Sequence, residues 1–130
     1  MKNSKLLIIM IFVLLPKPAL ADSAFSVQLY FGQSIPGGGS VSEMQWRHFM
    51  ENTITASFAG FNVVDSTGFY KGKAEHSKIV TIVIDESELA KVVTVAQSYA
   101  EKFHQDSVMM IKQPIVQWDF IEPRKVVTAE

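Results

Sequence analysis

Residues 78–84 (KIVTIVI) constrain the fold of this chain most, because six of these seven residues are β-branched. β-Branched side chains pack well on a pleated, half-buried surface, so the segment predicts a central β-strand. A second strand is indicated near the start of the chain by strict alternation of apolar and polar residues. Its apolar positions are Phe25, Val27, Leu29 and Phe31.

Two segments carry apolar residues at helical spacing. The first follows a turn-rich loop at residues 32–39, and we expect it to begin at a capping box formed by Ser40 and Glu43 and to end near residue 55. The second follows Asp85 and Glu88, which we expect to form another capping box. The first apolar stripe is Trp46, Phe49, Met50, Thr53 and Ile54, and the second is Leu89, Val92, Val93, Ala96, Ala100 and Phe103.

The remaining segments predict short strands joined by turns and loops. Residues 61–64 form a short apolar run, and small residues at 65–68 indicate a tight turn after it. The polar stretch 71–77 predicts a loop, and residues 108–111 predict another strand. Beyond Pro114 the chain is either an edge strand or a packed tail, up to residue 121.

The predicted order of elements is strand, helix, strand, strand, helix, strand. This order matches an α+β ferredoxin-like sandwich (βαββαβ), with two helices on one face of an antiparallel sheet. Because Ile79 and Val83 point opposite to Val80 and Ile82, both sheet faces carry apolar side chains. One helical layer covers only one face, so we expect the other to be covered by the C-terminal segment, a second copy or a ligand. The expected core contains Leu29, Trp46, Phe49, Val80, Ile82, Val92, Ala96, Phe103 and either Met109 or Met110.

The first 21 residues read as a signal peptide. Lys2 and Lys5 precede an unbroken apolar run, and Ala19-Leu20-Ala21 supplies the small residues that a signal peptidase requires. Ten apolar residues are too short to span a bilayer as a helix, so cleavage after Ala21 is favoured over an uncleaved anchor. We therefore expect an exported protein, periplasmic or secreted, with one domain at 22–121 and a frayed tail at 122–130.

Composition limits the partners of this chain. The formal net charge is −1, and the leader carries three of the twelve Lys and Arg but none of the thirteen Asp and Glu. No clustered basic surface is available for nucleic acid or an anionic membrane, so we expect neither nucleic-acid binding nor stable membrane insertion after cleavage. The chain has no Cys, so it gains no disulfide or thiolate nucleophile.

Several short patterns together resemble the bacterial domain-of-unknown-function family 3574. They are residues 27–32 (VQLYFG), Val41-Ser42 with Trp46 and Phe49, and Tyr99 followed by residues 103–108 (FHQDSV). Their order and spacing carry the resemblance, which covers most of the chain beyond the leader. It implies a small exported or lipid-anchored bacterial protein, and it brings no activity, cofactor or catalytic residue.

Familiar catalytic and metal motifs are absent from the sequence. Residues 32–37 have the spacing of a phosphate loop, but Gly38-Gly39 stand where Lys and Ser or Thr are required. His48 with Glu51, and Glu101 with His104, have the spacing of carboxylate metal sites, yet both pairs lie beside the apolar stripes and predict solvated helix faces. His76 lies in a polar stretch and is interpreted as surface. No cofactor or metal is expected, and no sequence resembling a nucleophile elbow surrounds any Ser.

Two functional hypotheses remain open. The favoured one is a non-enzymatic exported binding or assembly module, whose second sheet face pairs with another copy or a protein partner. The alternative is a small-molecule-binding protein or cofactor-free enzyme with a pocket on that face. For this pocket the candidate residues are Gln28 and Tyr30, together with Trp118 and, as the most distant, His104.

Overall fold

The computed structural model describes residues 23–126, which form a four-stranded antiparallel sheet and two helical segments. The strands are β1 (Ala24–Gly32), β2 (Asn62–Tyr70), β3 (Lys73–Asp85) and β4 (Met109–Pro114), in the spatial order β2-β3-β1-β4. The first helical segment consists of α1 (Glu43–Phe49), a π-helical part (Met50–Ile54) and α2 (Thr55–Ser57). The second consists of a 3₁₀ turn (Glu86–Glu88) and α3 (Leu89–Lys102). The predicted α+β class with an antiparallel sheet and two helices is confirmed.

The two central strands, β1 and β3, supply one face of the core. Val27 pairs with Ile82 and Leu29 with Val80 across the antiparallel register, and all four side chains are buried. Alternation along each strand turns these residues to the same face, where the buried residues of both helical segments join them. The prediction of a central strand at residues 78–84 is therefore confirmed.

Five aromatic rings fill the end of the core where β1 terminates. They are Phe31, Trp46, Phe49, Tyr99 and Phe103, all at least 95% buried, with neighbouring ring centroids 4.7 to 6.2 Å apart. All eight ring pairs are tilted or edge-on, the arrangement that aromatic quadrupoles favour. The cluster joins β1, α1 and α3 into one packed unit.

The first helix begins two residues later than predicted. Ser42 is its N-cap: the Ser42 hydroxyl accepts from the Gln45 N–H at 3.1 Å, and the Gln45 side-chain oxygen accepts from the Ser42 N–H at 2.9 Å. The predicted capping box of Ser40 and Glu43 is wrong, because Ser40 instead forms a β-bridge with Ser34. A capping box accepts Gln in place of Glu at its last position, so Ser42 and Gln45 could have indicated the true start of the helix.

A π-helical stretch, which the sequence pattern did not predict, lies within this helix. The Thr55 N–H and hydroxyl both bond the Met50 carbonyl, five residues earlier. A wider turn brings Phe49 and Ile54, five residues apart, onto the same buried face. The helix therefore stays packed on the sheet to its last turn.

The region between the helices is a long hairpin. β2 continues through residues 65–68, where a tight turn was predicted, and β3 already begins at Lys73, inside the predicted loop 71–77; both predictions are wrong. The turn consists of Lys71 and Gly72, both with positive φ, as in a type I′ turn. A two-residue turn leaves no room for the longer loop that the polar residues suggested.

The stripe predicted on α3 is shifted by part of a turn. Val92, Val95, Tyr99 and Phe103 are its buried residues, whereas Val93 is 37% exposed. The predicted stripe omitted Tyr99 because its hydroxyl is polar. A buried Tyr needs only one hydrogen-bond partner, so Tyr99 can still occupy a core position. Asp85 does cap the helical segment, but it accepts from the N–H and hydroxyl of Ser87, so the predicted box with Glu88 is wrong.

Three further predictions need correction or fall outside the described residues. Met109 and Met110 are 55% and 39% exposed, so neither belongs to the core. Residues 115–126, which follow the end of β4 at Pro114, form no strand, and their one backbone hydrogen bond to the sheet runs from the Ile115 N–H to the Ala24 carbonyl at 2.9 Å. The predicted signal peptide lies outside the described residues.

One charged side chain is buried on the helix-facing side of the sheet. The Lys78 ammonium contacts carboxylate oxygens of Glu43 at 2.8 Å and Asp65 at 2.5 Å. Burial alone would lower the pKa of Lys78, but the hydrogen bonds and charges of Asp65 and Glu43 together raise it above its ordinary value. The ion pairs tie the start of α1 to β2 and β3.

Candidate functional site

A cavity of about 460 Å³ opens at the end of the sheet where β1 terminates and the β2–β3 hairpin turns. We call it the polar cleft. It is lined by the end of β1, the loop after it, both hairpin strands and the loop between α3 and β4. The lining residues with a charged, imidazole or aromatic side chain are Tyr30, Phe69, Tyr70, Glu75, His76 and Asp106. Its volume falls within the range of small-molecule sites.

The hairpin supplies one wall of the polar cleft. Because the turn at Lys71 and Gly72 is tight, residues 74–77 are held in β3 instead of a loop. His76 stands opposite Thr67 in the register, and its Nδ1 lies 3.2 Å from the Thr67 hydroxyl. This contact fixes the imidazole ring against the strand.

The other wall is the loop between α3 and β4. Gln105 lies in this loop, and its side-chain amide donates at 3.1 Å to the carbonyls of Ser34 and Phe103. The Gln105 N–H bonds the Ala100 carbonyl at 2.9 Å, which closes the end of α3 in a Schellman-type turn. The turn places Asp106 and the following Ser at the cleft.

The lining is acidic and aromatic. Glu75 and Asp106 contribute carboxylates, and none of the cleft-lining residues in the described chain is Lys or Arg. The rings of Tyr30 and Phe69 offer flat surfaces for stacking or for a cation, whereas the Lys71 ammonium already lies 5.3 Å from the centroid of the third ring, that of Tyr70. The cleft therefore suits a neutral or cationic molecule with a planar part and disfavours a phosphate-bearing anion.

The structure separates the four residues predicted for a pocket. Tyr30 lines the polar cleft, and its hydroxyl lies 3.4 Å from the Gln28 side-chain oxygen on the same face of β1. Trp118 lies elsewhere, and His104 is exposed and lines none of the main cavities in the described chain. Only Gln28 and Tyr30 are thus brought together.

Trp118 lines a second groove, of about 700 Å³, at the opposite end of the sheet. We call it the tail groove, because Trp118 and Phe120 of the C-terminal segment form one side of it. The centroids of these two rings are 5.4 Å apart. Phe61, the residue before β2, and Val83 of β3 also line the groove. This groove is more apolar than the polar cleft.

Sequence reasoning missed Glu75, His76 and Asp106 as site residues. Glu75 and His76 were interpreted as loop residues, and the one local signal that could have placed them is Gly72, because Gly adopts at no steric cost the positive φ that a two-residue hairpin turn requires. Asp106 follows a helix end whose left-handed residue is His104 (φ 51°) rather than Gly, so the usual signal of that turn is absent.

The two His–Glu pairs lie on exposed surfaces, as expected for solvated helix faces: His48, Glu51, Glu101 and His104 are all exposed. Within residues 23–126, no three His, Cys, Asp or Glu side chains come together as a metal site. In the same residues, no helix is long and apolar enough to cross a membrane.

The fold and the cleft define a small α+β protein with a cavity of ligand size. Residues 26–120 match the model of the family described as "Protein of unknown function (DUF3574)", so the chain belongs to this family and the resemblance noted in the sequence is confirmed. No curated protein matches the sequence.

Solved structures with a similar fold include two of a phage SAM lyase. In complex with S-methyl-5'-thioadenosine it aligns with a TM-score of 0.56 at 18% identity, covering 76% of this chain and 86% of that one. In the apo state it aligns with a TM-score of 0.51 at 19% identity, covering 75% and 86%. At this identity the likeness concerns the fold.

Proposed function

We propose that this protein binds a small organic molecule in the polar cleft. The observation that carries the proposal is the lining itself, which combines two carboxylates, an imidazole and three aromatic rings in a cavity of about 460 Å³. Such a combination of flat apolar surface and a few polar groups is typical of ligand sites. The sequence favoured an assembly module, and the cleft reverses that preference.

The similar structures suggest the first ligands to test. The phage SAM lyase holds S-methyl-5'-thioadenosine on a related fold, and this molecule has a planar base and no phosphate. Both features suit an aromatic, acidic cleft. SAM adds positive charge, which Glu75 and Asp106 would favour over a neutral ligand.

Isothermal titration calorimetry with SAM and with S-methyl-5'-thioadenosine tests this proposal. We expect binding of at least one of them, and at least tenfold weaker binding after Tyr30→Ala, which corresponds to about 1.4 kcal/mol. Glu101→Gln, a change on an exposed face of α3, is the control and should bind as the unmodified protein does. Chromatography of the ligand afterwards separates binding from turnover. Equal affinity for the Tyr30→Ala protein, or no binding of either compound, contradicts the proposal for these ligands.

Assembly through the open sheet face is the second candidate function. On the face turned away from the helices, Val64, Val83 and Met109 are 54%, 48% and 55% exposed, and apolar surface of this kind often marks a protein contact. A second copy on this face should make self-association sensitive to Val83→Lys, measured by sedimentation over a range of concentrations. Self-association that is unchanged by Val83→Lys contradicts this candidate for a second copy.

We also infer the ferredoxin-like sandwich and export. The strand order β2-β3-β1-β4 with helical segments after β1 and β3 supports the fold. The basic, apolar and small-residue pattern of residues 1–21 supports export to the periplasm or medium with cleavage after Ala21. Mass spectrometry of the protein from an exporting host should give Asp22 as the first residue, and an intact Met1 would contradict this.

A further inference from the structure

Among the described residues, 23–126, β2 is an edge strand whose outward hydrogen-bonding groups have no partner. The type I′ turn at Lys71 and Gly72 makes its flanking pair, Tyr70 and Lys73, a hydrogen-bonded pair. Bonding alternates along an antiparallel ladder, so every second residue of β2 counted back from Tyr70 bonds to β3. The residues between them direct their N–H and C=O groups away from the sheet.

A contact on the other side of β3 supports the same alternation. The His76 carbonyl accepts from the Gln33 N–H at 3.0 Å, so His76 bonds toward β1 and its partner Thr67 does not bond to β3. The residues with outward N–H and C=O groups are therefore Val63, Asp65, Thr67 and Phe69.

Apart from Asp65, whose charge Lys78 neutralises, β2 carries none of the features that usually block pairing with another strand. It spans nine residues, its register with β3 is unbroken, and it contains no proline. The opposite edge differs: β4 has six residues, ends in Pro114, and carries Lys112 in an ion pair with Glu86. Native edge strands are usually shielded by proline, bulges or short length, so an open edge is notable.

We propose that β2 pairs antiparallel with β2 of a second copy about a two-fold axis at Ser66. This register brings all four outward residues opposite one another, with Val63 facing Phe69 of the second copy and Asp65 facing Thr67. Because each hydrogen-bonded pair exchanges two bonds, the register satisfies all the outward groups named above. A two-fold axis makes the contact self-complementary and closed.

Exposure and charge along β2 support a second copy of the chain as its pairing partner. Phe69 is 76% exposed in the single chain, and the second copy would cover it with Val63. Val64, 54% exposed, would stand opposite Gly68, which leaves room for its side chain. No like charges are directly opposite, and Lys78 neutralises Asp65 within each copy.

The proposal does not depend on a ligand in the polar cleft, although Ser66, Gly68 and Phe69 belong both to β2 and to the lining of that cleft. Its most specific test is cysteine cross-linking, because the chain contains no Cys. In this register Ser66 faces itself in a non-hydrogen-bonded pair, with Cα atoms about 4.5 Å apart, within the range that disulfides span. Ser66→Cys should therefore form a covalent dimer under mild oxidation.

Neighbouring positions give matched controls. Val64→Cys alone should not cross-link, because position 64 of the two copies would be about 14 Å apart. An equal mixture of Val64→Cys and Gly68→Cys should cross-link, and Gly68 has room for a Cβ atom. Val116→Cys, on a fully exposed tail residue, reports random collisions. Equal cross-linking of Val64→Cys and Ser66→Cys would overturn the register.

Sedimentation equilibrium over a wide concentration range tests the dimer without cysteines. The unmodified protein and Val116→Lys should reach the dimer mass, whereas Phe69→Lys should weaken dimerisation at least tenfold. Phe69 is exposed, so this change leaves the single chain folded, which circular dichroism verifies. A monomer at all concentrations would overturn the proposal and leave the edge to another chain. A dimer that is indifferent to Phe69→Lys would overturn it in favour of a different interface.

Discussion

The Tyr99 hydroxyl donates a hydrogen bond of 2.7 Å to the carbonyl oxygen of Gly32. Tyr99 is fully buried on α3 within the aromatic cluster, and Gly32 is the last residue of β1 and part of the polar cleft. The hydrogen bond therefore fixes this part of the cleft wall to the buried core. A wall fixed in this way is organised before any ligand arrives, which reduces the entropy lost on binding.

Removing this hydroxyl should destabilise the protein. Tyr99→Phe keeps the ring but leaves the Gly32 carbonyl without its donor, and a buried unsatisfied group costs about 1 to 3 kcal/mol. Each kcal/mol lowers the melting temperature of a domain of this size by roughly 4 to 8 °C. Tyr70→Phe, on a residue 64% exposed, is the control and should melt as the unmodified protein does. Equal melting of both variants would show that the bond contributes nothing.

Stability should fall in alkaline solution. Burial raises the pKa of Tyr99 from 10.0 to about 12, so the folded state favours the neutral phenol. The contribution of this phenol to the free energy of unfolding is complete below pH 10 and is lost as the pH rises through about 12. The pKa of Lys78 is likewise raised above 10.5, because the pull of Asp65 and Glu43 exceeds the opposing effect of burial. Tyr99 and Lys78 therefore both lower the stability of the fold as the pH rises.

Urea denaturation at increasing pH checks this expectation. The free energy of unfolding should change little on account of these groups below pH 10 and decrease above it. Tyr99→Phe should show a shallower decrease, since only the Lys78 contribution remains. A decrease of the same slope in Tyr99→Phe would show that the phenol is not the titrating group.

The strands and the helix-facing core were largely predictable, because their residues recur with periods of 2 and 3.6. Val80 and Ile82 were placed correctly from alternation alone. The hairpin was not, since Glu75 and His76 are polar residues that a tight turn forces into a strand. Tertiary pairing overrides local propensity in such cases.

The candidate site was predictable only in part for the same reason. Tyr30 is on a strongly patterned strand, so its face was clear from the sequence. Asp106 reaches the cleft through a helix end that lacks Gly, and no local pattern marks it. Trp118 was grouped with Tyr30 because both are amphipathic, but the tail leads it to the other end of the sheet.

Replacing His104 by Gly should stabilise the protein. His104 has φ of 51° and is exposed, so it adopts the left-handed conformation without burying its side chain. That conformation costs a non-glycine residue about 1 to 2 kcal/mol, partly offset by the greater freedom of Gly in the unfolded chain. We expect His104→Gly to raise stability by up to about 1 kcal/mol in urea denaturation. A loss of stability would mean that the imidazole makes a favourable contact.

The aromatic cluster should dominate stability. Phe103 is 5% exposed and packs on Tyr99 and Phe49, and replacing a buried Phe by Ala costs about 3 to 5 kcal/mol. Phe103→Ala should therefore melt far below the unmodified protein, whereas Gln97→Ala, on an exposed residue of α3, should change the melting temperature little. Similar melting of the two would show that the assigned helix face is wrong.

Backbone amide NMR during titration with S-methyl-5'-thioadenosine and SAM tests the central claim most directly. The account predicts saturable shifts at the polar cleft, at Gly32, Ser77 and Asp106, for at least one of the two compounds, with little change at Trp118 in the tail groove. Shifts confined to the tail groove, or no saturable shift with either compound, would contradict the assignment of the polar cleft as their binding site.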